Sequence, residues 1–296
     1  MSVNLSTSLF YGRSTSAMQT LSARIDTLNT QVSTGKKLLT PSDDSIGYQR
    51  LQGITRANAD GVQDAANVTI AQSVLQQAGT ALTQITDQLQ RASELVIQGK
   101  TGTNSVDAQN AIATELEGIL ASVVALANAK DARGGPLFGG RDDAAAVTPG
   151  AGGQLGFAEG KASAIPIGDG QSVEVTVNAR EFLDSPSGDL GSALAGIIAA
   201  LRAGEAIPEA ASDALDAIGE QVTATQATVG ARELRVDIQA AQIKTASSDR
   251  EIARSGIEDA DATETIIELQ KTMTILQATQ ASFSKLSSLS LFDYLR

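Results

Sequence analysis

Two pairs of adjacent carboxylates, Asp43-Asp44 and Asp142-Asp143, are the side chains whose spacing first suggests chemistry. Paired carboxylates attract hard cations, but calcium takes about six to eight oxygens from a shaped loop. Neither doublet has the alternating Asp/Asn/Gly pattern such a loop needs. Ser42-Asp43-Asp44 reads better as the start of a helix, where a short side-chain oxygen accepts from free backbone N–H groups. The run Gly134-Gly135-Pro136-Leu137-Phe138-Gly139-Gly140 has the flexibility of a phosphate loop. It lacks the closing Lys-Ser/Thr and follows a helical segment, so it reads as a turn into a different kind of structure. The acidic group Glu258, Asp259, Asp261 and Glu264 fits a solvated helix face or the start of the last helix.

The chain has no His, Cys or Trp. That removes thiol catalysis, a Ser-His-Asp triad and zinc sites built on His or Cys. No catalytic, cofactor-binding or metal-ligating residue is assigned, and the sequence does not read as that of an enzyme. With 22 basic and 34 acidic residues the net charge is −12, which argues against binding nucleic acid through its phosphates. Mean hydropathy is −0.02. No apolar run is expected to reach the roughly 18–20 residues of a membrane span, so neither nucleic acid nor membrane is expected as a partner.

Glycine and proline divide the chain. Eleven of 27 Gly lie between Gly134 and Gly170, and four of six Pro are Pro136, Pro149, Pro166 and Pro186. Residues 42–135 and 209–296 contain no Pro. The arms carry apolar residues at alternating spacings of three and four, which place one stripe on a helix. One stripe is Tyr11, Met18, Leu21, Ile25, Leu28 and Val32. A second is Leu75, Ala78, Leu82, Ile85, Leu89, Ala92 and Val96, and a third is Ile112, Leu116, Ile119, Val123 and Leu126. On the return side the stripes are Leu215, Ile218, Val222, Thr225, Val229, Val236 and Ile243, then Ile266, Leu269, Met273, Leu276 and Phe283. Pro41 is expected to stop the first helix, and the second to begin near Asp44. In the centre, 172–177 alternates with a β-branched bias and reads as a strand, with shorter strands at 155–157 and 165–167. A short helix is expected from Asp189 to Ala203, ended near Gly204.

The fold class expected is therefore mainly α: an elongated helical coiled coil or bundle formed by N- and C-terminal arms, with a small β-rich central domain. Residues 1–40 with 258–296 form a terminal coiled coil, 41–133 with 191–257 a helical bundle, and 134–190 the β-rich domain. The first 40 residues hold 14 Ser or Thr and carry a charge of +3, without the continuous apolar core of a cleaved secretion signal. The last residues gather Phe283, Leu286, Leu289, Leu291, Phe292, Tyr294 and Leu295 among serines. Terminal segments this apolar call for helical partners, either each other or another subunit. Met273, Leu276, Phe283, Leu286 and Leu289 are the expected anchors, and Leu21, Ile25, Leu28 and Val32 their expected partners.

At this point a family resemblance emerges. Ser33-Thr34-Gly35-Lys36-Lys37 followed by Pro41-Ser42-Asp43-Asp44 resembles the loop after the first helix of flagellin-type axial proteins. Leu89-Gln90-Arg91-Ala92-Ser93-Glu94-Leu95, followed by Gly102-Thr103-Asn104, resembles their middle helix. Leu137-Phe138-Gly139-Gly140 and the ending Ser288-Leu289-Ser290-Leu291-Phe292-Asp293-Tyr294-Leu295 resemble the hook-associated branch of that family. The resemblance implies a structural subunit of the bacterial flagellum, set between a hook-associated protein next to the hook and the flagellin filament. It also implies copies of the chain in a helical or ring layer, and an extracellular location in the motility organelle. Delivery would be through the flagellar type III export system, with an export chaperone and without a cleaved signal. It assigns Leu89, Gln90, Arg91 and Glu94 to an assembly surface, and Pro41, Ser42, Asp43 and Asp44 to an inter-domain loop. A short flagellin that forms the filament itself, or an unrelated secreted coiled-coil protein, stays open as an alternative.

Overall fold

In the computed structural model, residues 2–101, 104–131, 134–139, 145–162 and 164–294 are described, without the side chains of 2–8 and 286–294. Asp142-Asp143 and the side chains of Leu286, Leu289, Leu291 and Phe292 lie outside the described set. The protein is mainly α. Its helices are α1 (Ser2–Thr34), α2 (Ser45–Lys100), α3 (Val106–Ala127), the one-turn α4 (Arg180–Leu183), α5 (Leu190–Ala203), α6 (Glu209–Glu258) and α7 (Ala262–Tyr294). Between α3 and α5 run six short strands: β1 (Val147–Pro149), β2 (Leu155–Phe157), β3 (Ala164–Gly168), β4 (Gln171–Glu174), β5 (Asp184–Ser185) and β6 (Gly188–Asp189). They pair as three separate antiparallel ribbons, β1–β2, β3–β4 and β5–β6.

The chain divides into two compact units. One comprises Met1–Ala59 with Ser247–Arg296, the other Asp60–Ala246. The hydrophobic core lies wholly in the second unit, from Val68 to Val236. Every member of the α2 stripe from Leu75 to Val96 is buried there, as are Ile112, Leu116, Ile119 and Val123 of α3 and Leu215, Ile218, Val222 and Val229 of α6. Residues of the strands, the loops and the one-turn α4 share this core: Phe138 stacks edge-on against Phe182 of α4 with ring centroids 5.1 Å apart, and Ile167, Val175 and Leu183 are fully buried.

Several sequence expectations need correction. α1 ends at Thr34, seven residues before Pro41. Gly35 stops it by adopting φ +70°, a left-handed conformation that side chains with a Cβ resist. The strand expected over 172–177 ends at Glu174, because Val175, Thr176 and Val177 are all buried. A strand in a two-stranded ribbon buries alternate residues, so three in a row require the chain to leave the ladder. Arg232 Nη1 instead donates to the Thr176 carbonyl at 3.3 Å. Finally, α3 is long and apolar enough to cross a membrane by length and mean hydropathy (1.4), contrary to the expectation from the sequence. Its apolar stripe packs in the core, while Glu115 and Glu117 on its other face meet Arg91 and Arg202 at 2.8 and 2.9 Å. Residues 189–203 match expectation: Asp189 caps α5 by accepting from Ser192 N–H, and Gly204 ends it at φ +67°.

Candidate assembly site

The terminal helices pair with each other. Tyr11 of α1 meets Phe283 of α7 edge-on, with ring centroids 5.3 Å apart. Arg24 Nη2 donates to Glu268 Oε1 at 2.7 Å. These two contacts show α1 and α7 to be antiparallel and mark their register. Carried along the seam, that register puts Ser14 opposite Thr279, Met18 opposite Leu276, Leu21 opposite Thr272, Ile25 opposite Leu269 and Leu28 opposite Thr265. Leu28, Thr265 and Thr272 are buried, and the other seam residues from Tyr11 to Ile25 are half-buried.

The pairing corrects two expected anchors. Val32 is 38% exposed, because in this register it reaches the first residue of α7, where the residue opposite is the small Ala262. Met273 is 44% exposed and Ile266 41%. Thr272 and Thr265 take the seam positions instead, one residue before each. The sequence stripe preferred the more apolar residue at each step, whereas the backbone puts threonine inside. Each threonine stays satisfied by donating its hydroxyl four residues back, to the carbonyls of Glu268 and Asp261.

The consequence is an apolar surface. Ile266 and Met273 flank the seam on one side of α7 and Ile275 on the other. Among the described residues, nine of fourteen exposed large apolar side chains belong to the first unit, which holds little over a third of the chain. Besides those of α7, they include Leu9, Phe10 and Val32 of α1. A coiled-coil helix that is apolar beside its seam as well as within it suits an assembly with more than two helices.

The loop between α1 and α2 is built from its acids. Asp43 Oδ2 accepts from the backbone N–H groups of Thr40 (2.8 Å) and Leu39 (3.0 Å). These bonds, Thr40 first, hold its carboxyl below its ordinary value of 3.8. Asp44 Oδ1 accepts from Ile46 and Gly47 N–H, both at 3.0 Å, and so caps α2. Pro41 and Ser42 lie exposed in this loop. Across from it, the turn between α6 and α7 is closed by Asp261, which accepts from Thr263 and Glu264 N–H at 2.8 and 3.1 Å. Two backbone bonds join the two loops, Ala260 N–H to Gly35 O and Lys37 N–H to Glu258 O, each 2.8 Å. Lys36 pairs with Glu258, which also meets Arg254 at 3.0 Å.

On α2, Leu89 is only 3% exposed and packs in the core, so the surface of that stretch is Gln90, Arg91 and Glu94. Arg91 bridges Glu115 (2.8 Å) and Glu94 (3.1 Å). The hydrogen bond to Glu115 is the leading reason its already high pKa is raised further. Gln90 and Glu94 line an open groove of about 1000 Å³ between α2 and α6, with Asp216, Gly219, Glu220 and Ala224 on its α6 wall. Sequence reasoning missed the loop bridge and the reciprocal bonds between Asn128 and the backbone of Val147. The loop bridge is held by main-chain atoms, which leave no mark on residue type, and the Asn128 side chain finds its partner on the backbone of a residue nineteen positions on, which no local spacing signals.

Terminal helices that pair with each other in one unit, and a core built mainly of helices in the other, define a helical building block of the flagellin type. Two family models match accordingly: the bacterial flagellin N-terminal helical region over residues 6–142 and the C-terminal helical region over residues 212–295. The chain belongs to the flagellin family. Within it, the chain is similar to the flagellar hook-associated protein 3 of Escherichia coli, 27% identical over 89% of this chain and 90% of that protein. It is 32% identical to the protein of the same name from Salmonella typhimurium, over 47% of this chain and 44% of that protein. Its fold is shared with a putative flagellar hook-associated protein from Vibrio parahaemolyticus, at a TM-score of 0.68, 20% identity, and coverage of 73% of this chain and 100% of that one.

Proposed function

We propose that this chain is the structural subunit that joins the hook-associated protein at the hook to the flagellin filament. The observation that carries this reading is the α1–α7 pair, whose flanks keep Ile266, Met273 and Ile275 exposed beside an already filled seam. In a single subunit those side chains meet water. In a layer of copies they meet neighbouring helices, and each fully buried large aliphatic side chain contributes about 1.5–3 kcal/mol. The subunit acts by packing, without catalysis or a cofactor. Its partners are copies of itself, the adjoining hook-associated protein and flagellin, and it reaches the outside through type III export, escorted by a chaperone. Gln90, Arg91 and Glu94 form a second contact surface, and the loop Pro41–Asp44 links the terminal coiled coil to the bundle in a three-part division of the chain.

Deletion of the gene tests this. Cells are expected to keep intact hooks, lose filaments and release flagellin monomer into the medium. Hooks that still carry short filaments, with less flagellin in total, would identify the chain as a filament flagellin instead. Complementation with Met273→Asp is expected to leave secretion of the protein intact and the junction unassembled.

A further inference from the structure

The inner layers of the α1–α7 seam do not by themselves fix a register, and the two contacts that mark the observed one are an ion pair open to solvent, Arg24–Glu268, and a ring pair near the far end of the helices, Tyr11–Phe283. On α7 the seam repeats every seven residues: Thr265-Leu269, Thr272-Leu276, then Thr279 followed by Phe283. On α1 it repeats an apolar pair, Met18-Leu21 and Ile25-Leu28. Sliding α1 by one heptad towards the C-terminal end of α7, about 10.5 Å at about 1.5 Å per residue, leaves these layers chemically alike. Leu21 then faces Thr279 in place of Thr272, Leu28 faces Thr272, and Ile25 faces Leu276. The slide also gives the exposed Val32 a seam partner, Leu269. Repeats of this kind specify pairing and leave alignment open unless a further device selects one register. The chain between Thr34 and Ser45 permits the slide, because an extended chain of that length spans about 3.3 Å per residue.

We infer that the bridge between the two loops is the register lock of the terminal helix pair. Gly35 and Lys37 hold Ala260 and Glu258 through their backbones, and the Lys36 ammonium pairs with the largely buried Glu258 carboxylate. Arg254 holds that carboxylate from the other side, and Glu251 holds Arg254 at 2.6 Å. The bridge joins the residue just after α1 to the residues just before α7. A slide of α1 therefore breaks all of it at once, whereas fraying at the far ends of the helices leaves it intact. Gln31 Nε2 donates to the Lys37 carbonyl at 3.2 Å and Lys37 Nζ to the Gly256 carbonyl at 3.1 Å, which tie the same segment to α1 and to the last turn of α6. The lock belongs to the isolated chain, so it stands or falls separately from the junction reading.

The absence of cysteine makes the test direct in the full-length chain. Leu21→Cys is combined with Thr272→Cys to report the observed register, and with Thr279→Cys to report the slid one. Disulfide yield is measured under mild oxidation. In the otherwise unaltered chain the first pair should cross-link and the second should stay at background. Adding Lys36→Glu and Lys37→Pro, which reverse the charge and remove the N–H, should lower the first yield severalfold and raise the second in its place. Lys36→Arg should behave as the parent. An unchanged first yield in the Lys36→Glu/Lys37→Pro chain would mean that the seam sets its own register and would overturn the inference. A loss of both cross-links would overturn it too, because the bridge would then hold the helices together without choosing their alignment.

Discussion

Asp43 and Asp44 are neighbours with different duties, and each predicts a measurement. Asp44 closes the start of α2 by accepting from two backbone N–H groups. Asp44→Ala should cost about 0.5–2 kcal/mol, the usual loss of an N-cap, seen as a lower midpoint in denaturant. Gly47 explains why the cap is tight: a Cβ there would sit 2.5 Å from Asp44 Oδ2 and 3.1 Å from Leu38 Cδ1. Gly47→Ala should therefore disturb the cap even though alanine favours helices. Asp43 has a depressed folded pKa, so its contribution is present above its unfolded value and is lost as pH falls through the folded one. The loop should be indifferent to pH between 5 and 8 and loosen only below about 4. A carboxyl titration of Asp43 by NMR with a midpoint at or above 4 would contradict that assignment.

Among the elements, the sequence was legible wherever a helix buries one stripe against a large core. The stripes of α2, α3 and α6 are buried almost residue for residue, because apolar side chains at three-four spacing have one place to go. It was less legible in α7, where Ile266 and Met273 compete with Thr265 and Thr272 for the seam and lose. A helix apolar on several faces has no single stripe to read, and which face is used inside the chain depends on the partner. Helix ends set by backbone geometry, such as Gly35, were placed too late for the same reason that Pro41 looked like the obvious stop. For the candidate site, the sequence identified the terminal seams and the capping acids, while the bridge from Gly35 to Ala260 depends on atoms every residue possesses. The distinction between seam and flank gives a prediction. Phe283→Asp removes the ring that Tyr11 meets, and should loosen the outer turns of α1 and α7 in the isolated chain, read as lost helical circular dichroism. Met273→Asp should leave that signal unchanged, as surface substitutions usually stay within about 0.5 kcal/mol, and yet prevent assembly.

At the scale of the whole molecule, burial is distributed very unevenly. The core runs from Val68 to Val236 and draws in Ile167 of β3 and Phe182 of α4. Among the described residues, the first unit has Leu28, Leu38 and a few polar or small residues buried, and little else. Isolated helix pairs gain little from propensity alone, since most helix stability in proteins comes from packing an apolar face. Local opening free energies follow the same division, from near zero in thinly packed segments to the global value in the core. Hydrogen exchange on the full-length chain should therefore be fast along the terminal turns of α1 and α7, intermediate near the bridge at residues 35–37 and 258–260, and slowest in α2 between Val68 and Val96. Phe182→Ala, which opens a cavity in the core at a cost of about 3–5 kcal/mol, should speed exchange throughout the second unit and leave the terminal turns as they were. Equal protection in α1 and in the middle of α2 would show that the terminal pair is stable by itself, and that its exposed isoleucines and methionine are not waiting for neighbouring helices.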